Sequence, residues 1–167
     1  IQIMKGMRIP VEIITNFEAD DVIGTLAKKA EKEGFQVFMV TPDKDYAQIV
    51  SENIFQYKPA RFGNDIEILG VDDVLKKWEI KRIDQVIDLL GLMGDAVDNI
   101  PGLPGVGPKT AVKLLAEYDN VENIIANAQN LKGKLAETVA EKADLARLSK
   151  TLATIHLDVP VLSLIHI

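Results

Sequence analysis

At 167 residues, with 47% hydrophobic and 26% charged content, the chain suits one packed domain with room for a helical appendage, and it is too apolar to be disordered. It has no cysteine, which excludes disulfides and thiolate metal sites, and no apolar run is long enough for a transmembrane helix. The net charge of −6 argues against holding a polyanion on a broad basic surface, although seven of the acids fall in three short clusters and the remainder is close to neutral.

In chain order, Val11 to Thr15 reads as a short strand, and residues 18–33 as a helix with Val22, Leu26, Ala27 and Ala30 on one face, stopped by Gly34. A buried strand is expected over Gln36 to Thr41. Pro42 ends it, and a short helix follows from Asp45 to Val50. Asn53 to Lys58 and Asp65 to Leu69 read as two more strands joined as a hairpin. Beyond residue 70 the pattern is helical: Val71 to Trp78, Ile83 to Leu92, Lys109 to Glu117, Val121 to Ala128, Lys134 to Lys142 and Asp144 to Thr154. Ile155 to Val159 is a further strand candidate, and the closing VLSLIHI is either a strand or a non-native tail. This order predicts an α/β lobe with a mostly parallel sheet over residues 1–70, a helical lobe over 71–160 and a tail over 161–167.

The acidic clusters are Glu18, Asp20 and Asp21; Asp43 and Asp45; and Asp95 and Asp98. Each lies where a strand or helix meets a loop. Singly, each has an ordinary explanation: acids favour a helix N-terminus, Pro-Asp makes a turn, and aspartates cap loops. Together, carboxylates converging from separate segments suit hard divalent cations, two of which can promote phosphodiester hydrolysis. His156 and His166 sit in apolar sequence, where packing is a better explanation than ligation.

IPGLPGVGPKTA follows the third cluster. Gly105 and Gly107 allow close backbone approach, and Pro108 suits the first turn of the next helix. The helix start, with Lys109, Thr110 and Lys113, can hold a phosphate without reading a base. The spacing is not that of a P-loop, and a plain helix–turn–helix corner is the alternative.

FEADDVIGTLA, TPDKDYAQIV, LLGLMGDAVDNIPGLPGVGPKTA and LATIHLDVP, in this order, resemble the bacterial 5′→3′ exonuclease domains of the flap endonuclease family, over roughly Met7 to Pro160. The resemblance implies a PIN-like α/β fold with a helix–hairpin–helix element and two-metal hydrolysis of DNA at 5′ ends and 5′ flaps with Mg²⁺ or Mn²⁺. It implies that Glu18, Asp20, Asp21, Asp43, Asp45, Asp95 and Asp98 hold the metals, with Asp20, Asp21, Asp43 and Asp45 closest to the chemistry. Gly102, Gly105, Val106, Gly107, Lys109, Thr110 and Lys113 then grip duplex DNA, and the hairpin is a candidate K⁺ site. It further implies a monomeric, cytoplasmic, nucleoid-associated unit continuous with polymerase domains. Pro42 stands where the family usually has glycine. The family's first strand, two upstream aspartates, upstream basic residues and most of the helical arch have no counterpart here, so the chain reads as a fragment expected to have little or no nuclease activity alone. Three other functions fit parts of the sequence: a non-catalytic helix–hairpin–helix DNA binder, a phosphatase or phosphotransferase using Asp43 as nucleophile, and a PIN-type ribonuclease.

Overall fold

The computed structural model describes residues 1–60 and 65–161. A short helix α1 (Gln2–Gly6) leads through an exposed irregular segment into α2 (Ala19–Lys32). At the start of α2 the Asp21 carboxylate accepts from the Glu18 amide at 3.3 Å, and the acids of the first turn face the positive end of the helix dipole. Gly34, at φ +87°, turns the chain out of the helix.

Strands β1 (Val37–Val40), β2 (Ile54–Lys58) and β3 (Glu67–Leu69) form a sheet in that order. β1 and β2 are parallel, with Val37 opposite Ile54, and β2 and β3 are antiparallel, with Gln56 opposite Leu69. The described sheet is therefore mixed: the expected hairpin supplies the antiparallel pair. Met39, Ile54 and Gln56 face inward and are buried, while Phe38 and Val40 face solvent.

Helices α3 (Val71–Trp78), α4 (Gln85–Met93), α5 (Pro108–Tyr118), α6 (Val121–Ala126), α7 (Lys134–Glu141) and α8 (Ala143–Ala153) follow. Two cores share α4. Leu90 joins Met39, Tyr46, Ile49, Ile54, Val74 and Val86 under the sheet, whereas Leu89 and Leu92 join Leu103, Val106, Leu115, Ile124 and Val139 among the later helices. α4 is apolar on nearly every side because both cores use it. Gly91 allows its close crossing with α8, since a Cβ there would lie 2.8 Å from the Lys150 Cα. α3 packs on the first core, with Val74 buried in it and Val71, Leu75 and Trp78 against it.

Four expectations need correction. Val11 to Thr15 is irregular: no described strand lies beside it to satisfy its backbone groups. Ile155 to Val159 is an extended strap outside the sheet, with Ile155 and Val159 buried. The helix expected over Asp45 to Val50 is one 3₁₀ turn, Asp45–Gln48, and the one over Val121 to Ala128 stops at Ala126 before a second 3₁₀ turn, Ala128–Asn130. Of the VLSLIHI tail, Val161 is buried against Val22 and Val159, and residues 162–167 lie outside the described residues.

Candidate metal centre

Parallel pairing of β1 and β2 puts the turn after β1 at the carboxyl end of the sheet, where α/β folds place ligands. The turn is wound tightly. The Asp43 amide donates to Thr41 Oγ1 at 3.1 Å, and Asp43 Oδ1 accepts from the Asp45 amide at 3.0 Å. This points Asp45 inward, where it is 9% exposed, and leaves Asp43 exposed.

The turn after α4 meets it. Gly94 and Gly102 both have positive φ, and their backbones touch: a Cβ on Gly102 would lie 2.4 Å from the Gly94 amide nitrogen. Asp95 and Ile100 form an isolated bridge between them, and Asp95 Oδ1 accepts from the Val97 amide at 2.9 Å. Only glycine fits this double-backed loop, and the loop brings Asp95 and Asp98 to Asp45. One carboxylate oxygen from each of the three lies within 4.8 Å of the others.

The electrostatics are those of a crowded anionic site. Burial, with Asp43, Asp95 and Asp98 nearby, raises the Asp45 carboxyl to about 6, although Lys44 acts the other way. Asp45 Oδ1 is buried and has no hydrogen-bond partner among the described residues. The Lys44 ammonium pairs with Asp95, which holds the Asp95 carboxyl below its ordinary range. Three converging carboxylates, one with an orphaned oxygen, are a donor set of the kind that hard divalent cations take.

The first cluster borders the same space. A cleft of about 630 Å³ is lined by Glu18, Asp20 and Asp21 from α2, by Asp45 and Asp98, and by Thr154, Ile155 and His156 from the strap after α8. Asp20 Oδ1 accepts from the Tyr46 hydroxyl at 2.7 Å, and Asp21 Oδ1 accepts from the His156 amide at 2.8 Å. The structure thus brings together six of the seven expected acids; Asp43 shapes the turn and stands outside both the trio and the cleft lining.

Two family models match the chain: 5′-3′ exonuclease, N-terminal resolvase-like domain, over residues 1–79, and 5′-3′ exonuclease, C-terminal SAM fold, over residues 82–165. The chain belongs to the 5′→3′ exonuclease family. The DNA polymerase I of Bacillus caldotenax is 44% identical over 161 residues, covering 96% of this chain and 18% of that one. A 5′-3′ exonuclease of Aquifex aeolicus is 40% identical over 160 residues, covering 96% of this chain and 53% of that one. The chain therefore spans less than a fifth of the polymerase relatives and about half of the exonuclease. The zinc-bound structure of T5 5′-exonuclease has the same fold, with a TM-score of 0.81 at 22% identity over 92% of this chain and 55% of that one.

In this member of the exonuclease family the glycine turn divides in two. Gly102 and Val106 hold it from within: Gly102 is buried and its amide donates to Ser149 Oγ at 3.0 Å, and the Val106 side chain belongs to the second core. Both are buried, so their side of the turn is turned to the protein interior. Gly105, Gly107, Lys109 and Lys113 are exposed and Thr110 is half-buried, around the N-terminus of α5 with Pro108 in its first turn.

Three residues of the site were missed in the sequence: Lys44, Tyr46 and His156. Lys44 had a signal, being flanked by two acids. Tyr46 and the His156 amide had none, because their partners lie 26 and 135 residues away.

Proposed function

We propose that this chain is the 5′→3′ exonuclease and 5′-flap endonuclease unit of a DNA polymerase I, acting on duplex DNA with a 5′ end or flap in primer removal and repair. The observation that carries the proposal is the convergence of Asp45, Asp95 and Asp98 with an orphaned Asp45 oxygen, in a chain of the exonuclease family. It is supported by relatives named DNA polymerase I and 5′-3′ exonuclease and by a neighbour described with bound divalent ions.

In this reading, Glu18, Asp20, Asp21, Asp43, Asp45, Asp95 and Asp98 would hold two Mg²⁺ or Mn²⁺ ions, the converging trio of Asp45, Asp95 and Asp98 foremost among them. Bound ions lower the pKa of water and neutralise charge on a scissile phosphate. The chain's own part is to fix the carboxylates. The Asp43–Asp45 turn aims Asp45, the Gly94–Gly102 contact aims Asp95, and Tyr46 and His156 hold the α2 acids. Gly105, Gly107, Lys109, Thr110 and Lys113 grip backbone phosphates of the duplex without reading sequence, and carbonyls of the turn offer a place for K⁺. The unit works as a monomer in the cytoplasm, continuous with polymerase domains.

The test is cleavage of a labelled 5′-flap duplex by the natural polypeptide that carries these residues. Release of short 5′ products that needs Mg²⁺, and that Asp45→Asn lowers by at least 100-fold, is the expected result. Duplex binding without cleavage or Mn²⁺ binding would leave only a hairpin DNA binder.

A further inference from the structure

Asp21 is held twice, by the amides of Glu18 and His156. Asp20 is held differently. Its described side-chain hydrogen bond is the one to Tyr46, at 2.7 Å, a length typical of a hydroxyl donating to a carboxylate. Tyr46 is 2% exposed and its ring is packed with Ile49, Ile54 and Leu90 in the first core, so the hydroxyl has little freedom to wander. It follows Asp45 directly in the 3₁₀ turn. One turn of backbone thus carries both a carboxylate of the trio and the donor that fixes a carboxylate of α2.

We propose that Tyr46 is a positioning residue of the cleft: its hydroxyl occupies Oδ1 of Asp20, fixes that carboxylate's rotamer, and leaves Oδ2 to serve a divalent ion. The proposal rests on reading the cleft as a divalent-ion site. Outer partners that orient a ligand commonly affect metal affinity by roughly 10- to 100-fold when removed. Tyr46→Phe keeps the ring and its packing and removes only the donor.

The experiment is Mn²⁺ titration by calorimetry and by electron paramagnetic resonance of the chain, Tyr46→Phe, Asp20→Ala and the double variant. Tyr46→Phe should weaken Mn²⁺ binding roughly tenfold. It should have no further effect in the Asp20→Ala background, and the metal-free unfolding curve should barely move. Mn²⁺ binding by the unaltered chain with equal affinity in Tyr46→Phe would overturn the role of Tyr46 and leave the metal reading intact. No Mn²⁺ binding by the unaltered chain would overturn the metal reading and this proposal with it. If Tyr46→Phe does not fold, a Mg²⁺ titration of the unaltered chain followed by the tyrosine ring resonances decides. Shifts at Tyr46 that saturate, with Tyr57 and Tyr118 unmoved, support the role; an unmoved Tyr46 overturns it.

Discussion

The ammonium of Lys44 lies against the carboxylate of Asp95, joining the turn after β1 to the turn after α4. The Asp95 side chain is 4% exposed and that of Lys44 is 44% exposed, so one partner is trapped while the other can leave. In a cleft lined by acids, an internal cation on a flexible stem offsets charge repulsion in the metal-free protein and can be displaced by a stronger cation.

Replacing Lys44 by Met should therefore destabilise the metal-free protein, because Asp95 stays buried with its charge unpaired. The cost is expected to be about 1–2 kcal/mol, below that of a fully buried pair because Lys44 is half exposed. Saturating Mg²⁺ should recover most of the loss. Thermal unfolding of both proteins with and without Mg²⁺ checks this, and an equal deficit under both conditions would contradict it.

Asp45 sets a pH dependence. Its folded value of about 6 lies above the ordinary 3.8, so between these values the folded state binds the extra proton. Metal-free stability should fall as pH rises through this window, by an amount on the order of 1–3 kcal/mol. Asp95, whose value is lowered, acts in the opposite sense: its contribution is present above the ordinary value and is lost as pH falls below it. Asp45→Asn should accordingly stabilise the metal-free protein at pH 7.5 and do little at pH 4, while Mn²⁺ affinity of the unaltered chain climbs through pH 6. Denaturant melts across pH test the first statement, and calorimetry the second.

The two kinds of glycine in the turn region should separate cleanly. Gly102→Ala drives a Cβ into the Gly94 backbone at a positive φ, and is expected to cost about 3 kcal/mol or more. Gly105→Ala meets open space, and only its φ of +79° is strained, for about 1 kcal/mol. Equal losses in equilibrium unfolding would mean that the Gly94–Gly102 contact does not organise the Asp95 loop.

If the start of α5 grips backbone phosphates, Lys109→Ala and Lys113→Ala should weaken binding to any duplex alike. Each should reduce the slope of log affinity against log salt by about 1. Fluorescence anisotropy on two unrelated sequences over a salt series measures both effects. A loss confined to one sequence would point to base readout instead.

Much of this architecture was legible because it is local. Val71–Trp78 and Lys134–Glu141 follow from amphipathic periodicity, and the β2–β3 hairpin follows from two short apolar runs with a turn between them. Val11 to Thr15 misled because apolar, β-branched residues satisfy a strand pattern whether or not a neighbouring strand exists to pair with. The 3₁₀ turn at Asp45 was read as a helix because composition cannot distinguish the two over four residues. The acids were visible as clusters, but their ranking was not. Asp43 and Asp45 look equivalent in DKD, and only the turn geometry sends one inward and the other to the surface. The side chain of Val106 completes the second core, a packing role that its glycine neighbours in the sequence do not signal.

The central claim is that Asp45, Asp95 and Asp98 hold a divalent ion. Anomalous diffraction from crystals of the chain soaked in Mn²⁺ tests it most directly. The account predicts a manganese peak about 2–2.5 Å from oxygens of Asp45 and Asp95, with Asp98 at or just beyond that distance, and Lys44 withdrawn from Asp95. A fully soaked crystal with no peak there, and with Lys44 still on Asp95, would contradict it.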